Sequence, residues 1–446
     1  MQFKQYPSYK NSGVEWLGDV PEHWEVKKIK RISSVKRGAS PRPINDLKYF
    51  DDNGEYAWVR ISDVTRSNGF LFETEQRLSS LGASFSVKLE PESLFLSIAA
   101  TVGKPCITKI KTCIHDGFVY FPKLNKHRDL LFNIFESKLC FVGLGKLGTQ
   151  LNLNSETVED IYVAIPPESE EKAILGYIQT ETTRIDNLIA KQEKLIELLE
   201  EQRKSIISHA VTKGLNPNAP MKDSGVEWLG EVPKHWSYSS LKYVLKQKKG
   251  AIKSGPFGSH LKSSDMVYSD VKVINQRNVI DKDFIGGDNF ISFEKYEELK
   301  SFTIYPKDVL VTTRGTIGKV AQVAEDLPIS ILHPCLIRIQ VDENKVLFDY
   351  INYFFECEKL SLEQLRYASN AATIDVIYCE NLASIYLPIP SISEQNEIIK
   401  YLKDEDIKIN KLISKQKTLI EKLKEYRASI ISHAVTGKID VREFGA

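Results

Sequence analysis

Two stretches of the chain repeat apolar residues at alternating steps of three and four. The first runs Ile185, Leu188, Gln192, Leu195, Leu199, Gln202, Ile206, His209; the second runs Ile409, Leu412, Gln416, Leu419, Leu423, Tyr426, Ile430, His433. An a/d seam held over more than three heptads predicts long helices packed along one another. Pro166-Pro167 precedes the first stretch, with Ser169 expected as N-cap and Glu170 and Glu171 near the positive helix end. Gly214 and Gly437 fall just past the last periodic residues, where a left-handed glycine closes a helix. Roughly 40 residues at ~1.5 Å each give rods about 60 Å long.

Elsewhere the pattern changes to short apolar, β-branched or aromatic runs. These predict strands at Tyr56–Ile61, Leu94–Ile98 and Gly117–Phe121, and again at Val271–Ile274, Val309–Thr312 and Leu336–Val341. Amphipathic helices are expected near Asp129–Leu139 and Phe348–Leu365. The runs fall in two blocks, residues 25–164 and 237–388, each followed by one of the long periodic stretches.

This order reflects a duplication. Ser12-Gly-Val-Glu-Trp-Leu-Gly-Asp-Val-Pro-Glu-His-Trp24 returns at an offset of 212 as residues 224–236, identical at 11 of 13 positions. Residues 165–212 align without a gap on residues 389–436 at an offset of 224, with 26 of 48 positions identical. The blocks between diverge almost freely, apart from local matches such as Thr101-Val-Gly-Lys104 with Thr316-Ile-Gly-Lys319. The expected fold is α+β: two globular mixed α/β domains separated by two long antiparallel coiled-coil helices, with an internal two-fold repeat. Its divisions are a repeated motif at 1–24, a domain at 25–164, a helix at 165–212 and a linker with the second motif at 213–236. A second domain at 237–388, a helix at 389–436 and a tail at 437–446 follow. The Trp16/Trp24 and Trp228/Trp236 pairs read as anchors fixing each block to a rod end.

Composition adds exclusions. The chain has 446 residues and a net charge of +1, from 60 Lys+Arg against 59 Asp+Glu, so neither a polybasic tail nor a supercharged acidic protein is present. No apolar run approaches the ~20 residues a membrane span needs, and Met1-Gln-Phe-Lys-Gln5 does not read as a secretory signal. Cys106, Cys113, Cys140, Cys335, Cys357 and Cys379 lack Cys-x-x-Cys spacing and read as thiols of a reducing compartment, the cytoplasm.

Catalytic motifs are incomplete. Phe141-Val-Gly-Leu-Gly145 matches a methyl-donor loop of adenine methyltransferases, but Ile165-Pro-Pro-Glu168 lacks the polar and aromatic residues that such an enzyme needs around its two prolines. Lys104 precedes Pro105 and Lys319 precedes Val320, so neither closes a phosphate loop. Asp51-Asp52 reads as turn chemistry, and His209 and His433 as packing residues. No catalytic residue and no metal site is assigned. Basic residues, by contrast, recur at equivalent places. Lys36, Arg37 and Arg42 flank a Gly/Pro loop in the first block, as Lys248, Lys249 and Lys253 do in the second. Arg60, Arg66, Arg277 and Arg314 sit at strand ends or turns, and Lys104 and Lys319 close the matched strings. Small-residue loops beside Lys and Arg suit approach to a phosphate backbone, and guanidinium groups suit guanine edges, so these twelve are the candidate DNA-binding residues.

The combined layout resembles the specificity subunit of type I restriction–modification systems: Ser12-Gly-Val-Glu-Trp…His-Trp24, a variable block, then Ile165-Pro-Pro-Glu-Ser-Glu-Glu leading to Ser205-Ile-Ile-Ser-His-Ala-Val-Thr212, with every part recurring. The resemblance implies a non-catalytic chain whose blocks are target recognition domains, each reading half of a split double-stranded DNA target. Divergent blocks imply an asymmetric target, and the helices a spacer setting the unread gap. It implies two methyltransferase subunits as partners, carrying S-adenosylmethionine, and restriction subunits that use ATP and Mg where present. Gln192 and Gln416, as polar seam residues, are expected to fix helix register. The competing expectation is a coiled-coil scaffold whose modules bind protein rather than DNA.

Overall fold

The strand Glu25–Lys28 pairs antiparallel with Tyr162–Ile165, and Ser237–Ser240 pairs the same way with Tyr386–Ile389. Each variable block therefore leaves and returns through a two-stranded ribbon, just before a long helix. The computed structural model describes residues 4–144, 153–257, 260–266, 270–369 and 376–444. The chain forms two units, one of Met1–Glu193 with Lys417–Ala446 and one of Lys194–Gln416. Both divisions fall inside the long helices, Glu168–Lys213 and Ile392–Val435.

In the first unit, one sheet has the order Lys36–Arg37, Phe118–Tyr120, Leu94–Ser97, Pro105–Thr108, Phe70–Leu71, and a second the order Gln76–Leu78, Tyr56–Val59, Thr112–Ile114, Val87–Leu89. The second unit repeats the scheme. Its first sheet runs Ile252–Ser254, Leu336–Ile339, Val309–Thr312, Val320–Gln322, and its second Phe290–Ile291, Val271–Ile274, Ser330–Leu332, Thr303–Ile304. In both, the only parallel pair of the second sheet joins corresponding strands: Tyr56–Val59 with Thr112–Ile114, and Val271–Ile274 with Ser330–Leu332. Leu94–Ser97, Val309–Thr312 and Leu336–Ile339 are buried at every position, so they lack the alternation of a half-exposed strand, and Arg338 within the last donates to Thr303 O and Gly250 O at 2.7 and 2.9 Å. Lys272, inside the equally buried strand Val271–Ile274, is satisfied by the carbonyls of Ile285 and Gly287. The fold is thus mixed α/β with two domains of like topology.

The late helix of the first block spans Arg128–Glu136. That of the second is two helices, Phe348–Glu356 and Glu358–Ser369, rather than one over 348–365. Cys357 leaves helical geometry (ψ 80°), and its carbonyl starts the next turn by accepting from Leu360 N–H at 2.9 Å.

The first long helix begins at Glu168, two residues earlier than a Ser169 cap allows. The carbonyl of Pro167 takes the N–H groups of Glu170 and Glu171 (3.0 and 2.8 Å). At the equivalent place in the second helix Ser391 caps with both carbonyl and hydroxyl, so the cap position is 167/391 and Ser169 lies in the first turn. Gly214 and Gly437 are left-handed (φ +74° and +68°). Lys438 N–H reaches His433 O and Gly437 N–H reaches Ala434 O, which closes the second helix as a Schellman motif.

Half of the expected seam is displaced by one residue. Ile185 is buried with Ile430, Ile431 and Ala434 in the core of the first unit, where Ile189 and Leu423 also pack. Leu199 packs with Ile409 and Ile413 in the second unit, with Ile196 beside them. Leu195, Leu412 and Leu419, by contrast, are 38%, 42% and 41% exposed. Leu188, Gln192 and Gln416 are half-buried, and Gln202, Tyr426, His209 and His433 are exposed. The inward stripe takes steps of four then three: 185, 189, 192, 196, 199, 203, 206, 210, and the same positions 224 residues on. Both rows are apolar enough to be read from sequence, but only one follows the β-branched Ile189, Ile196, Ile413 and Ile420.

The displaced stripe places an arginine inward in each copy. In the first unit Arg427 Nε donates to Asp186 Oδ1 at 3.0 Å; in the second unit Arg203 donates to Asn410 Oδ1 and lies 3.6 Å from Asp406. Asp186 and Asn410 are themselves equivalent positions, so each unit separately shows antiparallel pairing of a helix beginning with a helix ending. Arg427 and Arg203 thus make a cross-helix polar contact in each unit, and no such contact of Gln192 or Gln416 is seen among the described residues.

Of the four expected anchors, Trp24 and Trp236 pack at the helix ends. Trp24 is fully buried, its indole N–H donates to Glu170 Oε1 at 2.9 Å, and His23 Nε2 lies 2.8 Å from Glu170 Oε2. Its ring also closes on Gly437, where a Cβ would stand 3.1 Å away. In the second unit Trp236 lies against Gly214 in the same way (3.0 Å), and His235 Nε2 meets Glu394 Oε2 at 3.1 Å.

The corrected stripe predicts that Ile413→Ala costs about 2–4 kcal/mol in chemical denaturation of the full chain, whereas Leu412→Ala stays within about 1 kcal/mol. The reverse order would restore the seam read from spacing alone.

Candidate nucleic-acid interface

In the first domain the turn His115-Asp116-Gly117 links its two sheets, and the basic loop wraps it. Gly38 N–H bonds to Phe118 O (2.9 Å) and Ala39 N–H to Ile114 O (3.2 Å). The approach is so close that a Cβ on Gly38 would lie 2.2 Å from His115 O, so only glycine fits. Asp116 then gathers the loop: Arg37 Nε donates to its carbonyl, and Ser40 Oγ and Arg42 Nη2 to its carboxylate, each at 3.1 Å. The Arg42 side chain remains 75% exposed. Lys36 is exposed on the same edge strand. Arg60 caps the helix Ile61–Arg66 through its N–H to Asp63 Oδ2 (2.8 Å), and its exposed guanidinium lies close enough to His115 to disfavour a proton there. Arg37, Arg42 and Arg60 are thus brought to one turn.

Arg66 and Lys104 are placed differently. Arg66 is paired with Asp63 (3.1 Å) and Glu75 (2.6 Å). Lys104 Nζ donates to the carbonyls of Thr65 and Ser67 at 2.9 and 2.7 Å, closing the same helix end. The recurrence of Thr-x-Gly-Lys has a backbone cause: Gly103 and Gly318 are left-handed (φ +79° and +78°) and bond to Ser97 O and Thr312 O in matching turns.

The second domain repeats the frame with other side chains. Gly255 N–H bonds to Leu336 O (2.9 Å), and a Cβ there would lie 2.1 Å from His333 O. Pro334 stands where Asp116 stood, and among the described residues no carboxylate gathers this loop. Lys248 and Lys249 are exposed in the turn before Gly250. Lys253 is committed to Ser301 O (2.7 Å) and stacks 4.2 Å over Phe302; burial, then Arg338, lowers its pKa. Arg277 is paired with Asp281 at 3.2 Å but 89% exposed. Arg314 is exposed, bridges to Val376, and lies beside His333. The Arg314 turn adjoins the start of the Arg277 helix, since a Cβ on Gly315 would touch Gln276. Lys319 is half-buried at the start of its strand.

The methyl-donor alternative gains nothing here. Phe141 is buried and stacks on Phe135, with ring centroids 5.8 Å apart, and Gly145 lies outside the described residues. Asp51 caps its own turn through Asn53 N–H at 2.9 Å. No metal-holding group of three or more His, Cys, Asp or Glu occurs among the described residues. Burial raises the Cys106 and Cys113 thiols to about 12 and about 11, keeping them protonated. No helix of the described residues is long and apolar enough to cross a membrane. Sequence reading missed His115 and His333. The available signal was a comparison of the blocks: each histidine ends a buried strand, after Thr-Cys-Ile and Ser-Ile-Leu.

Two domains of like topology, each exposing basic side chains on loops beside a histidine turn, define a duplicated mixed α/β protein. The chain belongs to the type I restriction modification DNA specificity domain family, whose profile matches residues 21–200 and 233–422. The MjaVIII type I restriction enzyme specificity subunit of Methanocaldococcus jannaschii is 25% identical over 95% of this chain and 94% of its own. The EcoKI specificity subunit of Escherichia coli K12 is 19% identical over 95% and 90%. A chain solved in work on complex assembly and conformational transition of the type I R-M system superposes with a TM-score of 0.63 at 14% identity, covering 93% of this chain and 98% of that one.

Because Lys104 is committed to carbonyls, Lys104→Met is expected to lower the melting temperature while leaving the salt dependence of duplex binding unchanged. Lys248→Ala with Lys249→Ala is expected to leave stability unchanged and reduce the log–log salt slope by about 2. Equal slopes for all three proteins would remove Lys248 and Lys249 from the interface.

Proposed function

We propose that the chain is the sequence-reading, non-catalytic component of a type I restriction–modification complex in the cytoplasm. Residues 25–164 read one half of a bipartite DNA target, residues 237–388 read the other half, and the paired long helices form the spacer that sets the unread gap. The single observation that carries this reading is the pairing of like frames with unlike loops. Sheet order, ribbon, histidine turn and tryptophan anchor recur in both units, while the loop side chains differ. Recurrent frames fix how each domain is held; divergent loops let each read a different half-sequence, so the target is asymmetric.

Two identical methyltransferase subunits dock on the duplicated segments, residues 1–24 with 165–212 and 213–236 with 389–436. Two copies of one partner suit a scaffold written twice. S-adenosylmethionine belongs to those subunits, and ATP with Mg to restriction subunits where present. Reaching an adenine requires flipping it from the stack, which is the partner's work; this chain positions the duplex for that step.

The test is a genome-wide map of N6-methyladenine in a host expressing the chain with its cognate methyltransferase subunit, against each alone. A split, asymmetric motif is expected only with both, and exchanging residues 25–164 for a foreign domain is expected to change one half alone. The ribbons bring the ends of each block together, so such an exchange leaves the helices intact. No motif from a folded, associated complex would return the chain to a protein-binding scaffold.

A further inference from the structure

His115 and His333 occupy the same place in the two domains, each directly after the strand that makes the parallel pair. In each ring Nδ1 accepts a backbone N–H two residues on, from Gly117 at 2.8 Å and from Cys335 at 3.1 Å. An acceptor at Nδ1 leaves the proton of a neutral imidazole on Nε2. Burial first, and then a neighbouring guanidinium, Arg60 or Arg314, keeps both rings below the usual imidazole pKa, against an opposing pull from Asp116 on His115. Both rings are therefore neutral at pH 7, with a fixed tautomer. Neither Nε2 has a hydrogen-bond partner among the described residues, and both histidines are partly exposed, the His115 side chain by 16%.

The ring is also fixed to the basic loop. The carbonyl of each histidine meets Gly38 or Gly255 more closely than any side chain would allow. In the first domain the ring is further held by Phe118 and Trp58, at centroid distances of 4.6 and 5.9 Å. A single rigid donor beside an arginine has the chemistry that reads an acceptor in a groove or on a backbone.

We propose that His115 and His333 are matched DNA-contacting residues, each presenting its Nε2–H, beside Arg60 or Arg314, to an acceptor atom on the half-site read by its own domain. The acceptor is a phosphate oxygen or a base edge. This inference rests on the DNA-reading function proposed above and assigns to it two specific side chains.

The complex of the full chain with its methyltransferase subunits is tested on a duplex carrying the mapped motif. His115→Asn and His333→Asn place an amide oxygen where Nδ1 was, so the turn bond stays and the outward donor goes. His115→Gln returns a donor near the Nε2 position. Each Asn variant is expected to bind about three- to tenfold more weakly, the range of one lost hydrogen bond, with an unchanged melting temperature and with His115→Gln within about twofold of wild type. Lost discrimination at one base pair of one half assigns a base acceptor; uniform loss with the motif unchanged assigns a phosphate. Asn variants that bind and methylate like wild type overturn the inference, as does a Gln variant as weak as its Asn counterpart. Should His115→Asn fail to fold, His333→Asn and His115→Gln decide the question. A wild-type complex with no motif at all contradicts the DNA-reading function instead.

Discussion

Glu170 lies in the first turn of the first long helix, where the exposed N–H groups already favour an anion, and it accepts from Trp24 and pairs with His23. The same indole closes against Gly437 at the end of the second long helix. One side chain therefore joins a helix start, the end of the opposite helix and the strand that leads into a domain. Removing a fully buried tryptophan typically costs about 3–5 kcal/mol, and here the loss would fall on all three elements together. The second unit repeats the joint around Trp236, Gly214 and Glu394, with one difference: the indole N–H of Trp236 is buried without a partner, and His235 alone meets the carboxylate. An unpaired buried donor costs about 1–3 kcal/mol, so the second joint is the weaker of the two.

From that joint the rest follows. A ribbon of paired strands rises beside each anchor, and every strand of the domain is threaded between the two strands of its ribbon. The sheets inside are held by apolar runs buried at every position, which leaves the loops between them free to change. Two constraints remain on those loops. Gly38 and Gly255 must stay glycine because a histidine carbonyl occupies the space, and Gly103 and Gly318 because the backbone is left-handed. Apart from tethers such as Asp116 and Lys104, most other loop positions vary with little cost to the frame, the condition under which two domains of one fold come to read different sequences.

Much of this was legible without coordinates. Val309–Thr312 is a strand over the residues its composition marks, and so is Val271–Ile274 even with Lys272 inside it, because a short run dominated by β-branched residues between turn residues admits few alternatives. The helices were equally plain, but their inward face was not. Leu195 and Ile196, like Leu412 and Ile413, are apolar neighbours, and spacing alone does not choose between them; packing against the partner helix does. Arg203 and Arg427 were hidden for the same reason, since a charged residue is not counted as a seam position until its acid or amide is seen opposite. Among the basic candidates, sequence does not separate Lys104 and Lys253 from Lys248 and Lys249, because no neighbouring residue in the chain shows whether a lysine is spent on a distant carbonyl or faces solvent. His115 and His333 lay in blocks whose divergence masks their equivalence until the sheets are aligned.

The account holds that each domain reads its half-sequence independently, from an equivalent mounting. The most direct measurement is the methylation motif of a chain in which residues 25–164 are replaced by a second copy of residues 237–388, expressed with its methyltransferase subunits. The account predicts a target with the same half-sequence at both ends, the one assigned to the second domain, separated by an unread gap. A motif that keeps its original asymmetry, in a chain shown to be folded and bound to its partners, would contradict it.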